Sequence, residues 1–206
     1  MDILKELRDK FCEIQGVKEY AYRKGEEIVF SNEEMKKIYL VIEGEVDINY
    51  VAENGNVMHL LIARTGNFLG AVDLPIGNWV VNMTAKTAVK LLGIDKDTLS
   101  ALNENDLLWK YMYLDVSKKF REFGERVFTK STAVSYENYF LLYLKENGYQ
   151  IEFNSLADLA YCLNLEYRNF FRVVKKLVEA EIIIKEKNRI YVPLVEAFND
   201  YLKNRL

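Results

Sequence analysis

The sequence predicts an α+β chain in three parts: an N-terminal β-roll, a long helix, and a C-terminal winged helix-turn-helix. Three observations carry that reading. Between Tyr20 and Ile94, short β-rich runs are broken by Gly25, Gly44, Gly55, Gly66, Gly70 and Gly77. Strands this short and this regularly interrupted indicate a sandwich or roll, not alternating strand–helix units. From Trp109 onward, apolar residues recur at spacings of 3, 4, 4, 3 and 4, as on one side of a long helix. From Asn154 to Pro193 the chain reads as two short amphipathic helices, a tight turn and a β-hairpin. The parts are drawn at residues 1–104, 105–133 and 134–206.

Composition narrows the classes further. At 206 residues, half of them hydrophobic and only two proline, the chain has room for real cores and no disordered bias. The net charge of −3 gives no bulk attraction to nucleic acid, so any such binding needs a local patch. Cys12 and Cys162 are the two cysteines and supply neither a disulfide framework nor a four-thiolate metal site. Cys162 falls at an apolar helix position, where a small buried hydrophobe is expected. The start, MDILKELRDKF, is not a signal peptide, and no run of 18 apolar residues spans a membrane. A cytoplasmic protein without membrane attachment is expected.

In chain order, Asp2 to Phe11 reads as a helix with Ile3, Leu4, Leu7 and Phe11 on one face. The β-rich runs are Glu26–Phe30, Lys37–Ile42, Glu45–Val51, Val57–Ala63, Val80–Thr84 and Thr87–Ile94. Asn54-Gly55 signals a type I′ hairpin turn, which needs positive φ. The long helix carries Trp109, Met112, Val116, Phe120, Phe123 and Val127 as its apolar seam. That seam can pack on its own domain or on a second copy, as a dimer interface. Gly124 and Thr129 to Thr132 mark a hinge. A further helix over Ser135–Asn147 is apolar at Tyr139, Phe140, Leu142, Tyr143 and Leu144.

The helix-turn-helix begins at Asn154, a plausible N-cap, and buries Leu156, Leu159, Ala160 and Leu163. Asn164 suits the left-handed residue of the turn. The second helix, about Tyr167 to Ala180, turns Phe170, Val173, Val174 and Leu177 inward. Between Tyr167 and Val178 it holds Arg168, Arg172, Lys175 and Lys176 and no carboxylate. Such a helix enters the major groove while the first braces on the backbone. Arg168 and Arg172 can fork onto guanine O6 and N7, Asn169 can pair with adenine, and Tyr167 can reach a phosphate or a thymine methyl. Glu166 is a poor N-cap beside serine and faces phosphate unfavourably, though a carboxylate does suit the helix dipole. Lys175, Lys176, Ser155 at the brace helix and Arg189 in the hairpin complete the candidate DNA-contacting set. A hairpin over Glu181–Pro193, turning at Lys185 to Asn188, makes the wing.

Tyr22-RKGEEIVF-Ser31, Ile38-YLVIEGEVDI-Asn49 and Thr65-GNFLG-Ala71, with Leu159-Ala160 and the second helix, resemble the cyclic-AMP receptor protein/Fnr family of bacterial transcription regulators. The resemblance covers nearly the whole chain and implies a cyclic-nucleotide-binding-like jelly roll, a dimerisation helix and a DNA-reading head. It implies a homodimer on a two-fold double-stranded DNA operator, with RNA polymerase as a further partner. Relatives read Ser-Arg-Glu-x-x-x-Arg in the second helix. Here the stretch is Glu166-Tyr167-Arg168-Asn169-Phe170-Phe171-Arg172, which looks like the YeiL-like branch.

The departures bear on the effector. Where nucleotide-binding relatives place a ribose-holding glutamate after Phe-x-Gly, this chain has Ala71. Their phosphate-neutralising Arg-Ser pair falls on Trp79-Val80. A buried phosphate with no cation or hydroxyl donor is costly, so a cyclic nucleotide is not the expected ligand. The candidate effector pocket, Leu69, Gly70, Ala71, Trp79 and Val80, suits a small apolar or aromatic molecule, or the protein works with none. Iron–sulfur sensing needs an N-terminal cysteine cluster, and only Cys12 is there. Haem-sensing relatives use a roll histidine. His59, the only histidine, reads as a surface or satisfied strand side chain. One histidine cannot build a cupin metal site, and no Walker loop, dinucleotide fingerprint or Ser/His/Asp set occurs. No enzyme activity, metal or cofactor is expected. The competing reading is an effector- or protein-binding roll with a degenerate head that no longer reads DNA.

Overall fold

A computed structural model describes residues 9, 11, 13–52, 54–73, 77, 79–100, 107–133 and 135–204. Most of the helix expected over Asp2–Phe11 lies outside these residues. The chain divides into two compact units, residues 1–122 and 123–206.

The first unit is a roll of two four-stranded antiparallel sheets. One has the order β1-β8-β3-β6, from Lys18–Tyr22, Val89–Asp95, Lys37–Glu43 and Phe68–Leu69. The other has the order β2-β7-β4-β5, from Glu27–Val29, Asn82–Ala85, Glu45–Val51 and Val57–Arg64. Alternation decides which side chains face in: on β4, Val46 and Ile48 are buried, and on β7, Met83 and Ala85. Ile38, Leu40 and Leu91 close the same core, and Phe11 reaches it with its ring 6.0 Å from Phe68. At Gly44, between β3 and β4, φ is +91° and a Cβ would collide with the Ala88 carbonyl, so only glycine fits. The Asn54-Gly55 loop is not the two-residue turn expected. Gly55 N–H reaches the Ala52 carbonyl and Ala52 N–H the Asn56 carbonyl, with positive φ at Gly55. That is a longer hairpin loop closed by a glycine.

A short helix α1 (Lys96–Ser100) follows β8, and α2 runs unbroken from Leu107 to Thr132, through Gly124 and the expected hinge at Thr129. In the second unit Ser135 caps α3 (Tyr136–Glu146), accepting the Asn138 N–H at 3.1 Å. Then come β9 (Gln150–Glu152), α4 (Leu156–Cys162), α5 (Tyr167–Glu179), β10 (Ile184–Lys185), β11 (Arg189–Tyr191) and α6 (Val195–Lys203). The hairpin β10–β11 takes β9 as a third strand, in the order β10-β11-β9. Phe140 on α3 meets Phe170 on α5 edge to face at 4.9 Å, and Phe198 of α6 meets Tyr149 at 5.6 Å. These aromatic pairs hold the helices in one core. β1, β6, β9 and α6 were not expected from the sequence.

Candidate nucleic-acid interface and roll site

The turn between α4 and α5 follows the expected chemistry at one residue and departs from it at two. Asn164 takes φ 53°, the left-handed conformation. The N-cap of α4 is Ser155 and not Asn154: Ser155 Oγ accepts the Asp158 N–H at 3.0 Å. That commits the oxygen of a side chain expected to contact DNA. Glu166, expected to cap poorly, caps α5 twice, accepting the Arg168 and Asn169 N–H groups at 3.0 and 2.8 Å. A carboxylate has two oxygens for two orphan donors and suits the helix dipole. The two amides hold its carboxyl below its ordinary value.

Helix α5 presents a sharply two-sided surface. Phe170, Val174 and Leu177 are buried, whereas Tyr167, Arg168, Asn169, Phe171, Arg172 and Lys175 are exposed. Arg168, Arg172 and Lys175 thus stand on one solvent face, with Lys175 3.7 Å from Glu179. Lys176 is exposed as well, and its Nζ donates to Glu137 at 2.6 Å, while Tyr201 Oη donates to the other Glu137 oxygen at 2.8 Å. A buried carboxylate thus shares the charge of a cation expected on the DNA face. Arg189 stands on β11 with its guanidinium 4.9 Å over the Tyr191 ring, and it donates to Gln150 Oε1 at 2.6 Å. Phe171 was missed. Its signal was available, since it follows Tyr167 by one helical turn.

Two cations from the end of α2 reach the C-terminal end of α4. Arg126 donates to the Cys162 carbonyl at 3.4 Å and Lys130 to the Asn164 carbonyl at 2.9 Å. Cations suit this end of a helix, whose last carbonyls lack partners. Burial, then the Arg126 charge, pushes the Lys130 ammonium down. Cys162 is half-buried and not fully buried as expected.

In the roll, three of the five residues expected to line an effector pocket, Leu69, Gly70 and Trp79, are buried. Leu69 and Trp79 belong to the core, Trp79 being 4% exposed. Its indole stacks 6.4 Å from the Tyr39 ring and lies so close to Gly70 that a Cβ there would stand 2.7 Å from it. Only Val80, exposed, and Ala71, half-buried, remain toward solvent. An apolar ring opposite a glycine gains by filling the gap. Beside it Asp73 is buried, accepts the Val80 N–H at 3.2 Å, and has its carboxyl pushed up by desolvation. His59 is buried, with Nδ1 2.8 Å from Asp47 Oδ1. Among the described residues, no cluster of His, Cys, Asp and Glu is placed to hold a metal ion. No described helix is long and apolar enough to cross a membrane.

The turn before Gly70 is tied to α2 by buried charges. Asp115 accepts from Asn67 Nδ2 at 2.7 Å and from the Phe68 N–H at 3.0 Å. Lys119, one helical turn on, donates to Asp115 and to the Phe68 carbonyl, each at 2.5 Å. Burial lowers the Lys119 ammonium, and Asp115 opposes that shift.

The apolar seam of α2 also needs correction. Met112 is 4% exposed and packs in the roll core, with Trp109 against it. Tyr113, Phe120 and Val127 are exposed, with Leu114 and Phe128 exposed beside them, and Val116 and Phe123 are half-buried. The series Tyr113, Val116, Phe120, Phe123 and Val127 forms one line. Their spacings of 3, 4, 3 and 4 make a strict heptad seam, which Met112 leaves by one position.

Residues 19–106 match the cyclic nucleotide-binding domain family. No curated protein sequence is significantly similar to the chain. Solved structures are. The transcriptional regulator TTHA1359 of the CRP/FNR family, from Thermus thermophilus, superposes with a TM-score of 0.69 at 19% identity, covering 92% of this chain and all of that one. The c-di-GMP-responsive global regulator CLP of Xanthomonas campestris gives 0.75 at 15% identity, covering 91% and 98%. FixK2 of Bradyrhizobium japonicum gives 0.66 at 17%, covering 89% and 96%. The chain therefore has the fold of the CRP/FNR regulators, with a cyclic nucleotide-binding-type roll over residues 19–106.

Proposed function

We propose that the protein is a homodimeric, cytoplasmic transcription regulator of the Crp/Fnr type, in its YeiL-like branch, and not an enzyme. Residues 1–104 form the sensing roll, 105–133 the dimerisation helix and 134–206 a winged helix-turn-helix. Two copies of α5 read a two-fold operator whose half-sites lie about 34 Å apart. RNA polymerase is the further partner of such a regulator. The observation that carries the reading is the solvent face of α5: Arg168, Arg172 and Lys175 exposed on a helix with no carboxylate between Tyr167 and Val178. A local cationic face of this kind supplies the attraction that the net charge of −3 does not. The roll takes a small apolar or aromatic effector or none. With Trp79 filling the ground beside Gly70, and Ala71 where the ribose-holding carboxylate would stand, it does not take a cyclic nucleotide.

The test is selection of bound duplexes from a random pool, without added ligand, followed by a salt titration on the winner. An inverted repeat with half-sites one turn apart, bound with a steep salt dependence, is the expected result. No enrichment, with flat salt dependence both alone and with cell extract, would sink the proposal in favour of a head that no longer reads DNA.

A further inference from the structure

Tyr167 and Phe171 are 49% and 47% exposed on α5, and their rings lie 6.2 Å apart, tilted by 44°. An isolated exposed apolar residue needs no explanation, but two aromatic rings stacked along one turn of an exposed helix form a patch. Its surroundings limit what it can meet. Arg168 and Arg172 follow each ring in sequence, and Lys175 continues the same stripe one turn on. An apolar protein surface would have to desolvate these cations, whereas a polyanion would pair with them. The patch therefore fits the partner that α5 is proposed to enter, and the question becomes what an aromatic ring meets there.

On the major-groove edges of the four bases, one group is apolar: the 5-methyl of thymine. A phenyl ring placed over a cytosine or adenine amino group, or over a guanine oxygen, would strip water from a polar atom and return no hydrogen bond. Over a thymine methyl it buries apolar surface on both sides. Arginine forks set guanine positions in the same groove, so one helix face carries two kinds of reading. We infer that Phe171, with Tyr167 beside it, is a specificity-determining residue that selects thymine by its 5-methyl group in each half-site. The inference rests on the proposal that α5 enters the major groove.

The experiment replaces thymine by uracil, one position at a time in both half-sites of the selected operator, which removes the methyl and nothing else. Affinity is measured for the wild-type protein, Phe171→Ala, Phe171→Leu and Tyr167→Ala. Wild type is expected to bind about fourfold more weakly per methyl lost at one or two thymines of each half-site. Phe171→Ala binds the thymine operator more weakly and no longer distinguishes uracil at one of those positions. Phe171→Leu, still apolar, keeps the distinction. Because the ring is exposed, the thermal midpoint of each variant should match wild type, and a variant that matches is read as folded. Equal binding of thymine and uracil operators by the wild type would overturn the inference. So would a full methyl effect in Phe171→Ala, whatever Tyr167→Ala does. Either result leaves salt-dependent operator binding, and so the DNA-reading proposal, intact. Loss of all salt-dependent duplex binding by the wild type would overturn both.

Discussion

Two basic residues four positions apart on one helix, Arg172 and Lys176, are set to do different work. Arg172 is exposed on the outer face of α5, whereas Lys176 closes a network with Glu137 and Tyr201. Arg172→Ala should leave the fold unchanged and weaken operator binding by about 1–3 kcal/mol, relaxing one base position per half-site. Lys176→Ala should lower the unfolding free energy of the head by about 1 kcal/mol or more, because Glu137 keeps its burial and loses its cation. Titrating operator and denaturant against both variants separates the two roles, and a reversal of the pattern would show the assignment to be wrong. This division was not legible in the sequence. Glu137 lies 39 residues from Lys176, and a basic helix position gives no sign of a distant buried acid. Glu166 makes a second prediction at this scale. Its carboxyl is held below the ordinary value of 4.5 by two backbone amides. The stabilisation it gives α5 is therefore present above pH 4.5 and is lost as pH falls through the depressed folded-state value. Protection of the Arg168 and Asn169 amides, taken relative to the intrinsic exchange rate at each pH, should fall on acidification, and in Glu166→Ala it should be low at neutral pH. Protection that is the same in the variant would remove Glu166 as the cap.

Elements follow the same division between local and distant causes. Strands β3, β4, β5 and β8 were legible because glycines such as Gly44 mark backbone conformations that other residues resist, and the runs between them are short and β-rich. β1 and α6 were not. Lys18–Tyr22 opens on two adjacent charges and buries no residue fully, and it is a strand through its pairing with β8. Helix α6 starts after Leu194 with no side-chain cap, so its first turn carries no signal. The candidate site was legible in part for the same reason. The exposed cations of α5 follow from helical period, and Gly70 and Trp79 were grouped in one pocket, but that the ring is buried against the glycine depends on packing that residue spacing does not show. The tie between α2 and the turn before Gly70 is a third case of this kind. The Asp115 side chain is 8% exposed and accepts from three donors, so Asp115→Ala strands the Lys119 ammonium and the Phe68 amide together. Removing one partner of such a pair costs about 3–5 kcal/mol. The roll should unfold at correspondingly lower denaturant, and amide protection at Phe68 should fall before that of β4. A wild-type midpoint would show that the tie contributes nothing.

For the whole molecule, the heptad seam on α2 decides whether one copy is complete. Tyr113, Phe120 and Val127 repeat every seven residues, and Phe120 is 77% exposed in the single chain. A ring that size gains nothing from solvent. Across a two-fold axis, equivalent positions of two helices face each other, so each ring would bury against its copy. Phe120→Glu then sets like charges opposite one another, while the roll, which does not use Phe120, keeps its core. The expected outcome is a dimer for the wild type and a monomer for Phe120→Glu in sedimentation equilibrium, with the same unfolding midpoint for the roll measured at low concentration. Because two linked heads gain about 100-fold or more in avidity over one, operator affinity should fall by that order while half-site binding persists. Met112→Glu is the counterpart. Met112 lies in the roll core, so the same charge there should unfold the roll and not simply divide the dimer. A Phe120→Glu protein that stays dimeric would move the interface off this seam, and with it the geometry by which two copies of α5 could reach half-sites one turn apart.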